Sequence, residues 1–320
     1  MWGNAMNGLI GYTGFVGQNL DGPQYEFRFN SKNSGELAGK SFDLLVCAGV
    51  PGHKTLANQF PEQDWQTISE LMEHLSQVQC QKLVLISTID VIPDGAERDE
   101  DVELLEDKMF PYALHRIKME KFVRQRFPDA AIVRLPGIFG KGLRKNFIFD
   151  LVFKIPRMFS DQEFLELKVH ATPAESKLLD SCYQAGQNGL WSLAAGLEGD
   201  SIARLRRLLE EHQCTSLRFT DSRSQYAYYD LSCLKEDLQK IIQYDIPLIH
   251  LATEPISAAE LAQKAFHIQF SNEIPGKIPV ISYAKSKYAS LWNGSNGYLY
   301  SKSQVIEQLR SFDVSSIRLS

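Results

Sequence analysis

Two kinds of hydrophobic pattern alternate along the first half of the chain. Residues 42–48, 82–87 and 130–135 are nearly continuous apolar runs, which predict strands buried on both faces. Residues 7–11 form a shorter apolar run broken by glycines, and residues 25–29 alternate as a half-buried strand would. Between these lie helical candidates at 14–20, 64–79 and 112–127. Strands and helices in strict alternation imply a parallel sheet with helices on both faces, the α/β doubly wound class. The gap between the first and third strands is short, so the second crossover helix is expected to be stunted or missing.

The second half changes character. Thr172-Pro173-Ala174-Glu175 carries a capping threonine, a proline at the first helical position and a glutamate three residues after the cap. Ile202, Leu205, Leu208 and Leu209 form one apolar stripe of a further helix. Helices are then expected near 231–239, 257–265 and 303–312, with a strand at 248–251. The expected organisation is a domain over 1–150 and a second region over 151–320. Within the second region, 156–216 reads as a helical insertion, and some later elements return to the first sheet.

Composition narrows the classes without naming a function. The chain has 320 residues, 44% hydrophobic and 23% charged, with 21 Gly and 13 Pro, proportions of an ordinary globular protein. A net charge of −5 argues against a broad phosphate-binding face, so no nucleic-acid partner is expected. No apolar run approaches the ~20 residues that span a bilayer, and no basic-then-apolar leader opens the sequence. Five scattered cysteines without a C-x-x-C pair read as reduced thiols of a cytoplasmic protein.

The most informative stretch is Gly8-Leu9-Ile10-Gly11-Tyr12-Thr13-Gly14-Phe15-Val16-Gly17. A strand ends at Gly11 and a helix begins inside the cluster, with glycines spaced three apart rather than as G-x-G-x-x-G. Glycines let the backbone turn sharply and approach a pyrophosphate at the helix N-terminus. A purely structural turn uses the same residues; the strand–helix alternation that follows favours the phosphate reading.

Gly11, Thr13, Gly14, Gly17 and Leu20 resemble the phosphate loop of the extended short-chain dehydrogenase/reductase superfamily, which holds nucleotide-sugar epimerases, dehydratases and reductases. The resemblance is strongest from Gly8 to Asn146 and resumes from about Arg218 to Leu261. It implies a Rossmann-type sheet with a smaller, partly helical C-terminal substrate region, an NAD(P) cofactor cradled by Gly11 to Gly17 with Phe15 and Val16, and a nucleotide-sugar or similar small-molecule substrate. A homodimer through a four-helix contact that includes the Tyr112 helix is also implied. Specificity for the cofactor lies after the second strand, where no acid is found. Arg28, Ser31 and Lys32 suit the 2′-phosphate of NADP, although Arg28 and Lys32 also read as solvated charges. Cys47, Ala48 and Gly49 resemble the segment that passes beneath the cofactor, with Cys47 itself a packed small hydrophobe.

The family's chemistry uses a Ser or Thr hydroxyl, a tyrosine, and a lysine four residues later. The cation must lower the tyrosine pKa by roughly three units, about 4 kcal/mol of differential stabilisation. Thr88 matches the hydroxyl, with Ser87 as the fallback; a strand-end Ser-Thr pair also caps turns. Tyr112 matches the acid/base, and Tyr112, Arg116, Met119, Val123 and Phe127 share one helical face. Arg116 stands where the family has lysine and, always charged, is the candidate for the cation that depresses the tyrosine pKa, although its planar fork does not simply replace a compact ammonium. Lys118 lies about 120° around the helix and is no substitute. Ile89 and Asp90 follow Thr88 where dehydratases carry an Asp-Glu pair, which disfavours water elimination, and Pro93 belongs to the altered end of that segment.

On the substrate side, Pro136 and Gly137 resemble the segment passing the nicotinamide, and Asn146 stands where family members contact a nucleotide-sugar pyrophosphate. Arg223 suits a diphosphate clamp or a solvated surface charge, and Asp230 a helix cap. Asp90 is a further substrate-side candidate. The acidic run over 97–101 reads as a solvated loop, and no histidine has partners at metal-ligand spacing. The expected activity is epimerisation or carbonyl reduction; a dinucleotide-binding sensor or assembly protein is the alternative.

Overall fold

The computed structural model describes residues 6–92, 98–186, 189–197 and 199–317; Pro93 and Glu97 lie outside them. The chain runs through β1 (Asn7–Ile10), α1 (Phe15–Leu20), β2 (Phe27–Phe29), β3 (Ser41–Cys47), α2 (Lys54–Gln59), α3 (Pro61–Ser76), β4 (Gln79–Thr88), α4 (Pro111–Arg126), β5 (Ala131–Leu135) and β6 (Gly137–Phe139). It then leaves for α5 (Phe147–Phe153), β7 (Met158–Ser160), α6 (Asp161–His170), α7 (Pro173–Cys182), β8 (Tyr183–Ala185), β9 (Leu190–Leu193), α8 (Gly199–Glu211) and β10 (Gln225–Tyr226). The remainder is β11 (Tyr228–Asp230), α9 (Leu234–Gln243), β12 (Leu248–His250), β13 (Ile256–Ser257), α10 (Ala258–Phe266) and α11 (Lys302–Ser311).

Two units result. The first comprises Met1–Lys141, Ala227–Pro255 and Ser282–Leu309, as far as they are described. Its sheet has six strands in the order β12-β5-β4-β3-β1-β2, every neighbouring pair parallel. Between β2 and β3 only a turn of 3₁₀ helix, Ser34–Leu37, is formed.

Successive residues of the apolar runs feed opposite faces of this sheet, as a period of two requires. Leu9, Val46, Val84 and Val133 pack with Leu20 of α1 and Leu234, Leu238 and Ile241 of α9. Ile10, Leu45, Cys47, Leu85 and Ile132 pack with Ile68, Leu71 and Leu75 of α3 and Met119 and Val123 of α4. A sheet covered on both sides explains why these strands carry no polar face. The strand order reverses at β1, so the carboxyl ends of β1 and β3 open a crevice at the topological switch point, where open α/β sheets bind ligands.

The second unit comprises Gly142–Tyr226, Ile256–Ile281 and Arg310–Ser320, as far as they are described. Thr172 and Glu175 form the expected reciprocal cap of α7, and Ser160 with Glu163 forms a second one on α6. The segment expected to be helical also contains an antiparallel sheet, β7-β9-β8. Its strands are three or four residues long, too short to register as periodicity, and aromatic packing holds them. Trp191 of β9 stacks on Phe164 of α6 at 4.1 Å, and Tyr183 of β8 meets Phe159 edge-on.

Candidate active site

The glycine loop closes the crevice at β1. Gly11 has φ +85°, and a Cβ there would lie 2.5 Å from the Ala48 carbonyl oxygen. A Cβ on Gly17 would overlap the Gly11 carbonyl oxygen. Both glycines are therefore required by close backbone approach. Gly14 differs: it caps α1 in extended geometry, its Cβ would stand 3.3 Å from the Gly11 oxygen, and it is exposed. Beyond it, the first-turn amides of Phe15, Val16 and Gly17 have no intrahelical acceptor by position. Thr13, also exposed, accepts from Gln18 through its carbonyl. Ala48 donates to the Ile10 carbonyl, and a Cβ on Gly49 would press on Ile10 at 2.9 Å. The loops after β1 and β3 are thus locked side by side. Cys47 is fully buried, and burial pushes its thiol up to about 11, the state of a packed apolar residue.

After β2, Asn30 and Asn33 bind their own backbone: the Asn30 amide donates to Asn33 Oδ1, and the Lys32 amide to Asn30 Oδ1. This turn leaves Ser31 and Lys32 exposed. Arg28 is engaged elsewhere, its Nε 2.6 Å from Asp21 and a terminal nitrogen donating to the Gly22 carbonyl. Of the three residues expected at a 2′-phosphate, Ser31 and Lys32 are therefore the two presented.

Tyr112 lies in the first turn of α4, and Asn58 of α2 accepts its amide at 2.9 Å. Thr88, at the end of β4, accepts the Asp90 amide at 3.1 Å and stands close enough to the Tyr112 phenol to favour its ionisation. The tyrosine and hydroxyl that the sequence separates are thus brought together. Arg116 is placed differently from a relay lysine. Its guanidinium lies 3.9 Å from the Tyr112 ring centroid, over the face of the ring. Its terminal nitrogens bind both carboxylate oxygens of Asp64, at 2.6 and 3.0 Å, and donate to the carbonyls of Pro51 and Tyr112. Asp64 also binds His115 Nδ1 at 2.8 Å. The planar fork thus serves as a buried clamp with a carboxylate partner. Burial raises the Tyr112 phenol above its ordinary pKa; Arg116 and Thr88 oppose the rise, and Asp90 and Asp64 add to it.

Ser87 faces away from this constellation. Its hydroxyl donates to Glu120 at 2.6 Å, and Glu120 holds Arg134 by two bonds of 3.0 and 2.6 Å. Arg134 donates in turn toward His250 Nε2. With Nε2 accepting, the His250 ring is the neutral tautomer that donates from Nδ1 to the Lys285 carbonyl, and burial lowers its pKa. Glu100, expected in a solvated loop, is instead buried and accepts from the His250 amide, Ser286 Oγ and the Lys287 amide. Its donors lie far along the chain, so the acidic run alone gave no sign of them.

Pro136 is buried and Gly137 exposed. Gly137 pairs with Tyr228, and a Cβ there would stand 2.8 Å from the Ala227 carbonyl. Asn146 and Arg223 belong to the second unit. Asn146 caps α5 at φ 115°, accepting the Phe149 amide, a conformation otherwise almost confined to glycine. Arg223 is held by both oxygens of Asp221, at 2.9 and 2.8 Å, and by Glu273 at 3.0 Å. Its charge is compensated, unlike that of a waiting phosphate clamp. Among the described residues no cluster of three His, Cys, Asp or Glu side chains suits a metal, and no helix is long and apolar enough to cross a membrane.

The sequence did not single out Asp64, Lys54, Asn58, Glu120 or Arg134 as site residues. Glu120 falls one helical period beyond Arg116 and Tyr112, the one available signal.

No protein-family model matches the chain, and no curated protein is similar to it in sequence. Solved structures are similar in fold. A dTDP-4-dehydrorhamnose reductase from Clostridium acetobutylicum superposes with a TM-score of 0.60 at 14% identity, covering 96% of this chain and 98% of its own. The RMD protein of Pseudomonas aeruginosa, complexed with NADPH, gives 0.59 at 12% identity, covering 96% and 97%. A UDP-N-acetylglucosamine 4-epimerase from Bacillus cereus gives 0.53 at 13% identity, covering 96% and 98%. With its six-stranded parallel sheet and flanking helices, the chain has the fold of these reductases and epimerases.

Proposed function

We propose that the chain is an NAD(P)-dependent oxidoreductase of the extended short-chain dehydrogenase/reductase type, acting as a reductase of a carbonyl on a nucleotide sugar or a comparable small molecule. The observation that carries this reading is the pairing of Tyr112 with Thr88 beside the glycine crevice of β1 and β3. The residues there fit a dinucleotide: the open side at Gly14, the first-turn amides of Phe15 and Val16, and the small Ala48 and Gly49 would hold its pyrophosphate and nicotinamide halves. Ser31 and Lys32 favour NADP over NAD. Bound there, the reduced cofactor supplies a hydride.

Tyr112 supplies the proton. A buried phenol held above its ordinary pKa is protonated at neutral pH, as reduction requires. Its O–H bond breaks as a new O–H bond forms on the substrate carbonyl oxygen, the carbonyl carbon takes the hydride, and solvent later returns the proton. Thr88 orients the phenol and the carbonyl. The opposite direction needs a phenolate in the resting state, which a guanidinium already neutralised by Asp64 supports poorly; reduction is therefore favoured over an epimerisation that begins with oxidation.

The same Asp64–Arg116 pair supports a second reading, a dinucleotide-binding sensor or assembly protein without turnover. Nicotinamide fluorescence titrations with NADPH and NADH, followed by turnover of a panel of keto nucleotide sugars, test both. Saturable NADPH binding with turnover lost in Tyr112→Phe supports the reductase. Binding without turnover supports the sensor, and the absence of binding removes both.

A further inference from the structure

α2 presents two side chains, one helical turn apart, to the residues of the proposed site. Asn58 accepts the Tyr112 amide at 2.9 Å, and Lys54 Nζ lies 2.8 Å from Asp90 Oδ1. Asp90 is fixed in turn, its amide donating to Thr88 Oγ1 at 3.1 Å. Residues four apart share a helix face, so one face of a six-residue helix touches both the start of α4 and the turn after β4. A lysine on that face serves no packing need, since it is more than half exposed.

Two carboxylates act on the Tyr112 phenol, Asp64 and Asp90, and each is paired with its own cation. Arg116 is bound by Asp64, leaving that pair close to neutral. Asp90 remains, a carboxylate whose charge reaches the phenol and opposes its ionisation. Lys54 is the cation in contact with Asp90.

We propose that Lys54 is a positioning residue for Tyr112: by neutralising Asp90 it adds, through that carboxylate, to the charge compensation that Arg116, shared with Asp64, provides in part. Once the Tyr112 proton has passed to the substrate oxygen, a phenolate remains beside Asp90. Two adjacent negative charges repel, and Lys54 removes one of them from the balance until solvent reprotonates the phenol. The proposal rests on the reductase reading for its catalytic consequence and on geometry for its electrostatic one, so the two are tested separately.

The electrostatic test uses protein with Tyr112 replaced by difluorotyrosine, whose phenol ionises at lower pH than that of tyrosine, followed by fluorine NMR in the NADP-saturated protein. Lys54→Met should raise the midpoint by about half a unit or more, the scale of a partly exposed charge pair. Asp90→Asn should lower it. The double variant should match Asp90→Asn, because Lys54 acts only through that carboxylate, and Lys54→Arg should restore the wild-type midpoint. In the unmodified enzyme, Lys54→Met should reduce kcat about fivefold or more, with NADPH affinity unchanged. A midpoint unmoved by Lys54→Met, or moved equally with and without Asp90, overturns the proposal whatever the turnover. A midpoint that moves as described in a protein without turnover upholds the Lys54–Asp90 coupling and contradicts the reductase reading alone.

Discussion

Asp64 grips Arg116 with both carboxylate oxygens, and the guanidinium so held lies over the ring of Tyr112, 3.9 Å from its centroid. A buried pair of this kind is costly to break from one side, because the remaining charge has no water to solvate it. Arg116→Met should therefore lower unfolding free energy by about 3 kcal/mol, read by urea denaturation. Arg116→Lys keeps the charge but loses the fork and the Pro51 contact, so it too should destabilise, by a smaller amount, and should not raise turnover. A gain in turnover would mean that the site still works as a lysine relay.

The glycines of the loop separate into two roles. Gly17→Ala forces a Cβ into the Gly11 carbonyl, so it should unfold the loop, lower Tm and abolish dinucleotide binding together. Gly14→Ala sets a Cβ 3.3 Å from the Gly11 carbonyl oxygen, a tight contact relieved by a shift of a few tenths of an ångström, and places a methyl where a pyrophosphate would approach. It should leave Tm within a few degrees and weaken NADPH binding tenfold or more, read by nicotinamide fluorescence.

Adjacent hydroxyls at the end of β4 should also separate. Ser87 donates to the buried Glu120, so Ser87→Ala should cost about 1–2 kcal/mol of stability. Glu120→Gln weakens a carboxylate shared by Ser87 and Arg134 and should cost more. Thr88→Val, at the phenol, should show its main effect in kcat, by tenfold or more, with stability changed by less than 1 kcal/mol, roughly one neutral hydrogen bond.

In the second unit, Asp150 is pushed up to about 6, mainly by burial, with Arg157 opposing. Its folded pKa lies above its unfolded value of about 3.9, so its contribution is most favourable below pH 4 and is lost as pH rises through 6. Asp150→Asn should therefore gain stability relative to wild type between pH 4 and pH 7, by about 1–3 kcal/mol. Denaturation curves at the two pH values measure the difference; a constant difference would place the ionisation elsewhere.

What the sequence revealed followed from local requirements. The Gly11–Gly17 loop was legible because its glycines answer to backbone geometry within a few residues, and the strands at 42–48 and 82–87 because a doubly covered sheet keeps their central positions apolar on both faces. The face shared by Tyr112, Met119 and Val123 was legible from helical period alone. The partners that decide the chemistry were not: Asp64 lies 52 residues from Arg116, and His250 lies 116 residues from Arg134. A helical face shows which side chains point together and not which charge waits opposite. Arg223 shows the same gap, since Glu273 comes from a distant loop. The short strands β8 and β9 escaped because three or four residues carry too little periodicity, and α2, with Lys54, because it follows a Gly- and Pro-containing stretch that reads as loop.

The most direct test of Tyr112-assisted reduction follows a single atom. NADPH deuterated at the transferring position of its nicotinamide is incubated with the protein and a panel of keto nucleotide sugars, and the products are analysed by mass spectrometry. Wild type should place one deuterium in the alcohol product, and Tyr112→Phe should reduce that incorporation at least a hundredfold while still binding NADPH. Saturable NADPH binding with no deuterium in any product, or equal incorporation by Tyr112→Phe, would contradict it.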